Sequence, residues 1–293
     1  MANLKEVRVR ITSVNSTQQI TKAMKMVSAA KLRRAQDAIV QMRPYASKLK
    51  EILENVAESI DASGSGVFAT VRPENKILVI PVTSNRGLAG AFNANVIRTI
   101  NRMMNDTYKE QVKAGNFKVM CIGKKASDFF SKNKNVYAGN HNELFNHLNF
   151  QNVAVVAEEV MKEFAAGKYD KVIVVYNQFK NAAVQFVITE QLLPITPPAK
   201  KEKSKVVNDY IFEPDQESIV LDLIPKSIKT QLYKAVLDSH ASEHGARMTA
   251  MSKATDNAGE LIKELKLQYN KARQAAITNE ILEIVAGAEA LAG

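Results

Sequence analysis

From residue 32 to residue 60, apolar side chains recur at alternating steps of three and four: Leu32, Ala35, Ile39, Met42, Ala46, Leu49, Leu53, Val56 and Ile60. That repeat is the seam of a coiled coil. Upstream, Val7, Ile11 and Val14, then Ile20, Met24 and Val27, keep the spacing with a phase slip between the two groups. A slip predicts a local change of supercoil. The pattern as a whole predicts one helix from Asn3 to Ile60, roughly 87 Å long. Pro44 lies inside it, removes one backbone hydrogen bond and predicts a kink.

The same spacing returns at the other end of the chain, in Met251, Ala254, Ala258, Leu261, Leu265, Gln268, Ala272, Ala275, Asn279, Leu282 and Ala286. This seam is rich in alanine, which lets a partner helix approach closely, and it holds two polar members, Gln268 and Asn279. A helix starting after Pro225 and reaching Ala288 would run roughly 95 Å. The final stretch, Ile284–Ala292, is almost all small or apolar, with Glu289 its one charge. An exposed surface of that kind is expected to enter an apolar socket. Two helices of this length exceed a small domain. The pattern predicts that they pair with each other, antiparallel, because a folded region joins them. The alternative is two arms that dimerise separately.

Between the helices the period changes. Residues 61–66 and Arg72-Pro73 read as linker. Lys76–Thr83, Phe117–Gly123 and Lys171–Tyr176 are apolar runs of strand length. Helical stretches alternate with them: Ala91–Lys113, Lys124–Asn133 and Asn152–Ala166. Alternation of this kind predicts a largely parallel sheet with crossover helices. Ala183–Thr189 and Gln191–Pro194 extend the sheet or form its edge, and Pro194–Lys205 reads as a charged loop. The predicted fold is α/β plus coiled coil. A long antiparallel hairpin of N- and C-terminal helices (1–62 and 216–293) carries an inserted Rossmann-like α/β domain (63–215).

Charge sharpens the picture. The net charge of the 293-residue chain is +10. Residues 1–50 hold 11 Lys and Arg against Glu6 and Asp37, whereas residues 226–293 hold 9 basic and 8 acidic side chains. The basicity belongs to the first helix, which therefore suits an acidic partner: nucleic acid, lipid head groups or an acidic protein surface. Nucleic-acid binding by a basic coiled coil is one such reading, but the basic segment has Tyr45 as its only aromatic and no interleaved stacking residues. The single cysteine, Cys121, can form neither an internal disulfide nor a cysteine-based zinc site. No apolar run approaches the roughly 20 residues of a membrane span. The basic, amphipathic start has the character of a transit peptide, but its pattern continues far past the usual length of one.

Chemistry-bearing motifs are sparse. There is neither a P-loop nor a G-x-G-x-x-G fingerprint. Gly87 and Gly90 follow the first strand and read as a tight turn. His240-Ala241-Ser242-Glu243-His244 has the H-x-x-E-H spacing of inverted zinc proteases. On one helix face the two histidines could hold zinc, but the site needs a third ligand and a cleft. The plainer reading is two exposed polar residues. His141 and His147 suggest nothing specific. No catalytic, cofactor-binding or metal-binding set is expected.

Several stretches resemble the gamma subunit of F-type ATP synthase, of bacterial type. They are Ile20-Thr21-Lys22-Ala23-Met24 with Met26-Val27, Arg43-Pro44-Tyr45, and Arg86-Gly87-Leu88 with Gly90 and Asn93. The most specific lie near the C-terminus: Ala246-Arg247-Met248, Ala250-Met251, Ala254-Thr255-Asp256-Asn257, Tyr269-Asn270-Lys271-Ala272-Arg273-Gln274, Ile277-Thr278 and Glu280-Ile281. The resemblance implies a non-catalytic rotor shaft inside a ring of three alpha and three beta subunits. It implies further contacts with the epsilon subunit and with the membrane rotor ring of c subunits. Neither nucleic acid nor direct membrane insertion is implied. The location implied is peripheral, on the cytoplasmic face of the inner membrane. Lys22, Lys25, Lys31, Arg33 and Arg34 would meet an acidic segment of the beta subunits, and Arg273, Gln274 and Thr278 would bond beta-subunit loops. Tyr210, Phe212 and Glu213 match a stretch near the rotor ring and epsilon. Three departures stand out. Asn85 replaces an acidic residue, Phe212 replaces a tyrosine, and His244-Gly245 replaces a helix-favouring pair. The chloroplast-type insertion with its cysteine pair is absent.

Overall fold

The structure is a computed structural model that describes residues 4–57, 67, 68, 70–195 and 216–292. The chain divides into two compact units, one of residues 1–28 with 248–293 and the other of residues 29–247. Helix α1 (Leu4–Ala57) and helix α6 (Gln216–Ala292) each contribute to both. Helix α6 therefore begins before Pro225, not after it as expected. A proline inside a helix removes a single bond, and the apolar side chains on either side of it, Ile224 and Ile228, are both buried.

In the first unit the helices run antiparallel. Gln18 and Thr21 meet Thr255, and Lys25 meets Ser252, so the numbers fall on α6 as they rise on α1. The seam of α1 has no phase slip. Val7, Val14, Thr21 and Ser28 face inward at steps of seven, with Ile11 and Gln18 between them. Ile20 and Val27, expected in the seam, are 59% and 58% exposed. The heptad runs straight on and polar residues occupy its inner positions. On α6 the seam holds at Met251, Ala258, Leu265 and Ala272, but Tyr269 and Ala276 turn inward where Gln268 and Ala275 were expected.

The second unit is built on a five-stranded sheet in the order β3-β2-β1-β4-β5. Its strands are β1 (Ile77–Pro81), β2 (Phe117–Cys121), β3 (Tyr137–Asn140), β4 (Lys171–Phe179) and β5 (Gln185–Leu193). The first four are parallel and β5 is antiparallel to β4. Side chains alternate across β1. Leu78 and Ile80 face α5 (Phe150–Ala165) and residues 224–236 of α6, while Ile77 and Val79 face α2 (Phe92–Arg102) and α4 (Lys124–Phe130). Both faces are covered, which is why β1 and β4 read as continuous apolar runs. The seam of α1 in this unit is buried at Leu32, Ala35, Ile39 and Leu49.

Three local features depart from the sequence reading. The helix expected over 91–113 is broken by a π turn at Met103–Thr107 before α3 (Lys109–Lys113), and the wider turn seats Tyr108 against the Phe117 ring, 5.9 Å away. Strand β3 was not expected: it is a four-residue edge, Tyr-Ala-Gly-Asn, with no buried side chain and little apolar pattern. Strand β5 is continuous through Glu190, because Glu190 Oε2 accepts from Tyr176 and Oε1 from Gln231.

Candidate partner-contact surfaces

In the first unit, Lys22 and Lys25 stand on the exposed side of α1 beside exposed Ile20, Met26 and Val27. The ammonium of Lys25 donates to Ser252 Oγ at 3.0 Å, so Lys25 is partly engaged within the helix pair. Arg273, Gln274 and Thr278 are exposed on α6, and the Thr278 hydroxyl donates to Gln274 O at 2.9 Å. Inward packing on α6 ends at Ala276. From Ile277 to Ala290 every side chain is exposed, including Ile281, Leu282 and Ile284. The end of α6 is thus a helix with apolar residues and no covering partner among the described residues. In the second unit Lys31, Arg33 and Arg34 are exposed on α1. Tyr210, Phe212 and Glu213 lie outside the described residues. Among the described residues the structure therefore presents two groups of exposed cations on α1 and one exposed polar group on α6.

The histidine pair is not exposed, which overturns the plainer reading of it. His244 is 5% exposed, its Nε2 lies 3.2 Å from that of His240, and the His240 ring stacks on Phe145. Neutral imidazoles of opposite tautomer satisfy this geometry, one Nε2–H donating to the other Nε2. Burial pushes His240 down to about 4 and His244 to about 3, with Lys31 and Arg247 adding to both shifts. Among the described residues no third metal-ligating side chain joins the pair. Glu243 is committed to Arg247, whose Nη1 donates to it at 2.6 Å. The other nitrogen, Nη2, donates to the carbonyls of Arg86 and Gly87 at 3.2 and 3.3 Å. Arg247 thereby clamps the loop after β1, where Leu88 is held exposed at a φ of 63°. Gly245 belongs to the same packing. A Cβ there would stand 3.1 Å from Ala182 O, so glycine lets α6 lie close to the β4–β5 connection.

An open α/β sheet offers a ligand its crevice at the carboxyl ends of the strands. Here the chain's own groups occupy those positions. The first amides of α4 bond to Asn85 Oδ1, Ser84 O and Thr83 Oγ1. Ser239 and Ser242 of α6 donate to Val82 O and Asn177 O, at the ends of β1 and β4. Asn85 therefore acts as a cap for α4, and its amide donates to Asn142 O as well. The turn at Gly87 and Gly90 is a structural one, held by Ser84 Oγ donating to Arg86 O. Cys121 lies buried beneath, its thiol pushed up to about 12 by burial, which keeps it protonated and unreactive.

An antiparallel pair of helices in one unit, a sheet closed off by its own helix in the other, and cations turned outward are the architecture of a stalk-type subunit. Comparison with known proteins agrees. The ATP synthase family profile matches residues 3–291. The ATP synthase gamma chain of Flavobacterium johnsoniae is 60% identical over 293 residues, covering all of both chains. A chain in the central stalk and c-ring structure of the Tetrahymena thermophila mitochondrial ATP synthase matches with a TM-score of 0.59 and 27% identity, over 80% of this chain and 99% of that one. A chain of the Euglena gracilis mitochondrial ATP synthase shares the fold, with a TM-score of 0.69 and 22% identity over 98% and 94% of the two chains. The chain belongs to the ATP synthase gamma chain family.

Proposed function

We propose that this chain is the rotating central shaft of an ATP synthase. It turns with a membrane ring of c subunits and drives conformational change at catalytic sites carried by a surrounding ring of three alpha and three beta subunits. It binds no nucleotide itself and is a non-catalytic subunit of the enzyme. It stands peripherally at the cytoplasmic face of the inner membrane, with epsilon at its foot. No described helix is long and apolar enough to cross a membrane, in keeping with attachment through other subunits. The observation that carries this reading is the end of α6, where exposed apolar residues from Ile277 onward follow directly on exposed Arg273 and Gln274. An apolar tip turns inside a sleeve with few directional bonds to break, and exposed ionic contacts made and broken by each beta subunit in turn are individually weak. Lys22, Lys25, Lys31, Arg33 and Arg34 would meet acidic beta segments, Arg273, Gln274 and Thr278 beta loops, and Tyr210, Phe212 and Glu213 the c ring and epsilon.

The test is the double variant Arg273→Ala/Gln274→Ala in the assembled enzyme. ATP-driven proton pumping is expected to fall several-fold more than the thermal midpoint of the isolated chain moves, because both side chains are exposed. An equal loss of chain stability and of pumping would assign the two residues to packing.

A further inference from the structure

The outward-facing residues leave unexplained a run of polar side chains inside the helix pair of the first unit. Between Val14 and Ser28 the inner positions of α1 are taken by Gln18, Thr21 and half-buried Met24, with exposed Lys25 at the margin. Apolar residues were available one position away, at Ile20 and Val27, and are turned to solvent instead. Each polar group finds a partner across the pair. The hydroxyl oxygens of Thr21 and Thr255 lie 2.8 Å apart. With Thr255 donating across, the Thr21 hydroxyl donates back to Gln18 O of its own helix at 3.0 Å, and Met251 O is the alternative acceptor for Thr255. Gln18 Nε2 donates to Thr255 O at 3.4 Å, and Lys25 Nζ donates to Ser252 Oγ at 3.0 Å. Gly259 completes the layer: a Cβ there would come within 2.9 Å of Gln18 Nε2, so the glycine leaves the gap that the amide fills.

We propose that Gln18, Thr21 and Thr255, closed by Gly259, form a register lock that fixes the axial stagger of α1 against α6 in this unit. Contacts between alanine, valine and leucine are non-directional, and the α6 seam here is small-sided, with Ala254 and Ala258 flanking Thr255. Hydrogen bonds are directional, and polar groups in a coiled-coil seam select one register at some expense of stability. A shift of one helical turn, about 5 Å, breaks all three cross-helix bonds and drives the Gln18 amide out of the Gly259 gap. The three residues are positioning residues. They act by setting how far Lys22 and Lys25 on α1 stand along the axis from Arg273, Gln274 and Thr278 on α6. That consequence rests on the shaft reading, but the lock itself does not.

The test uses the full chain without partners, so its failure and failure of the shaft reading are separate events. Spin labels are placed at exposed sites on the two helices through Ser13→Cys and Lys263→Cys, buried Cys121 being out of reach of the reagent. Their separation is read by pulsed dipolar spectroscopy. The parent is expected to give one narrow distance. The isosteric pair Thr21→Val/Thr255→Val, which removes both hydroxyls, is expected to add a second population displaced by about 5 Å, one helical turn, or to double the width of the distribution. Thr21→Ser/Thr255→Ser, which keeps both hydroxyls, is expected to restore the parent distance. A single, unshifted distance in the valine pair with its helix content intact overturns the lock. Should the valine pair not fold, Thr21→Ala is read in the same way, and an unchanged distance there overturns it equally.

Discussion

Two buried titrating sites in the second unit pull its stability in opposite directions with pH. Asp238 is 2% exposed, its Oδ1 has no hydrogen bond, and Arg43 Nη2 stands 3.8 Å away. Burial raises its carboxyl to about 6, against the opposing pull of Arg43 and Lys234. A carboxyl with a raised folded-state pKa favours the fold when neutral. Its contribution is full below the unfolded value near 4 and is lost as pH rises through about 6. Asp238→Asn should therefore stabilise the isolated chain at pH 7.5 by roughly 1–3 kcal/mol and make little difference at pH 4. Thermal melts across that range check it, and parallel pH profiles for parent and variant would contradict it. His240 and His244 are shifted down, so they favour the fold when neutral. Their contribution is full above the unfolded value of 6.5 and fades as pH falls toward 4. His244→Gln should shrink that acid limb to the share of His240, and leave the Asp238 limb in place. Neither site was legible in the sequence. Asp238 carries no motif, and the histidines read as exposed because nothing in the H-x-x-E-H spacing says that the helix bearing them packs against a sheet.

At the scale of elements, burial separates side chains that look alike in the sequence. Leu265 is 2% exposed in the seam of the first unit, whereas Ile281 is 55% exposed beyond the last inward residue. Leu265→Ala should destabilise the isolated chain by about 2–4 kcal/mol, from lost burial and the cavity left behind. Ile281→Ala should change stability by less than about 0.5 kcal/mol, as surface substitutions do. Denaturant titration of the two variants decides, and similar losses would mean that the end of α6 is packed in the free chain. The long helices and the strands β1, β2 and β4 were legible because their hydrophobic periods, 3.5 and a continuous run, are distinct. The errors have physical causes. Following apolar residues alone led to Ile20 and Val27, whereas the heptad passes through Gln18 and Thr21. On α6, alanine at both 275 and 276 leaves two frames equally apolar. Pro225 reads as a boundary because a proline's missing donor is visible in sequence and the burial of Ile224 and Ile228 on either side of it is not.

For the whole molecule, the charge distribution and the chemistry of the sheet point the same way. Residues 1–50 carry nearly all of the chain's net charge of +10, and the strand ends that could receive a ligand are bonded to the chain's own side chains. In the proposed shaft, action on the partners would run through shape and weak surface contact. The family was legible from motifs, and the structure explains some of them without a partner: Thr21 and Thr255 meet each other, and Arg247 holds the loop at Arg86 and Gly87. What the sequence could not show is which motif residues face inward, since that depends on the register of two helices whose sequences lie some 230 residues apart. The central claim is tested most directly by mixing this chain with alpha and beta subunits and measuring complex mass together with ATP hydrolysis. One copy of the chain per three alpha and three beta subunits, with hydrolysis stimulated over the ring alone, is the predicted result. No assembly, or assembly with several copies and unchanged hydrolysis, would contradict it.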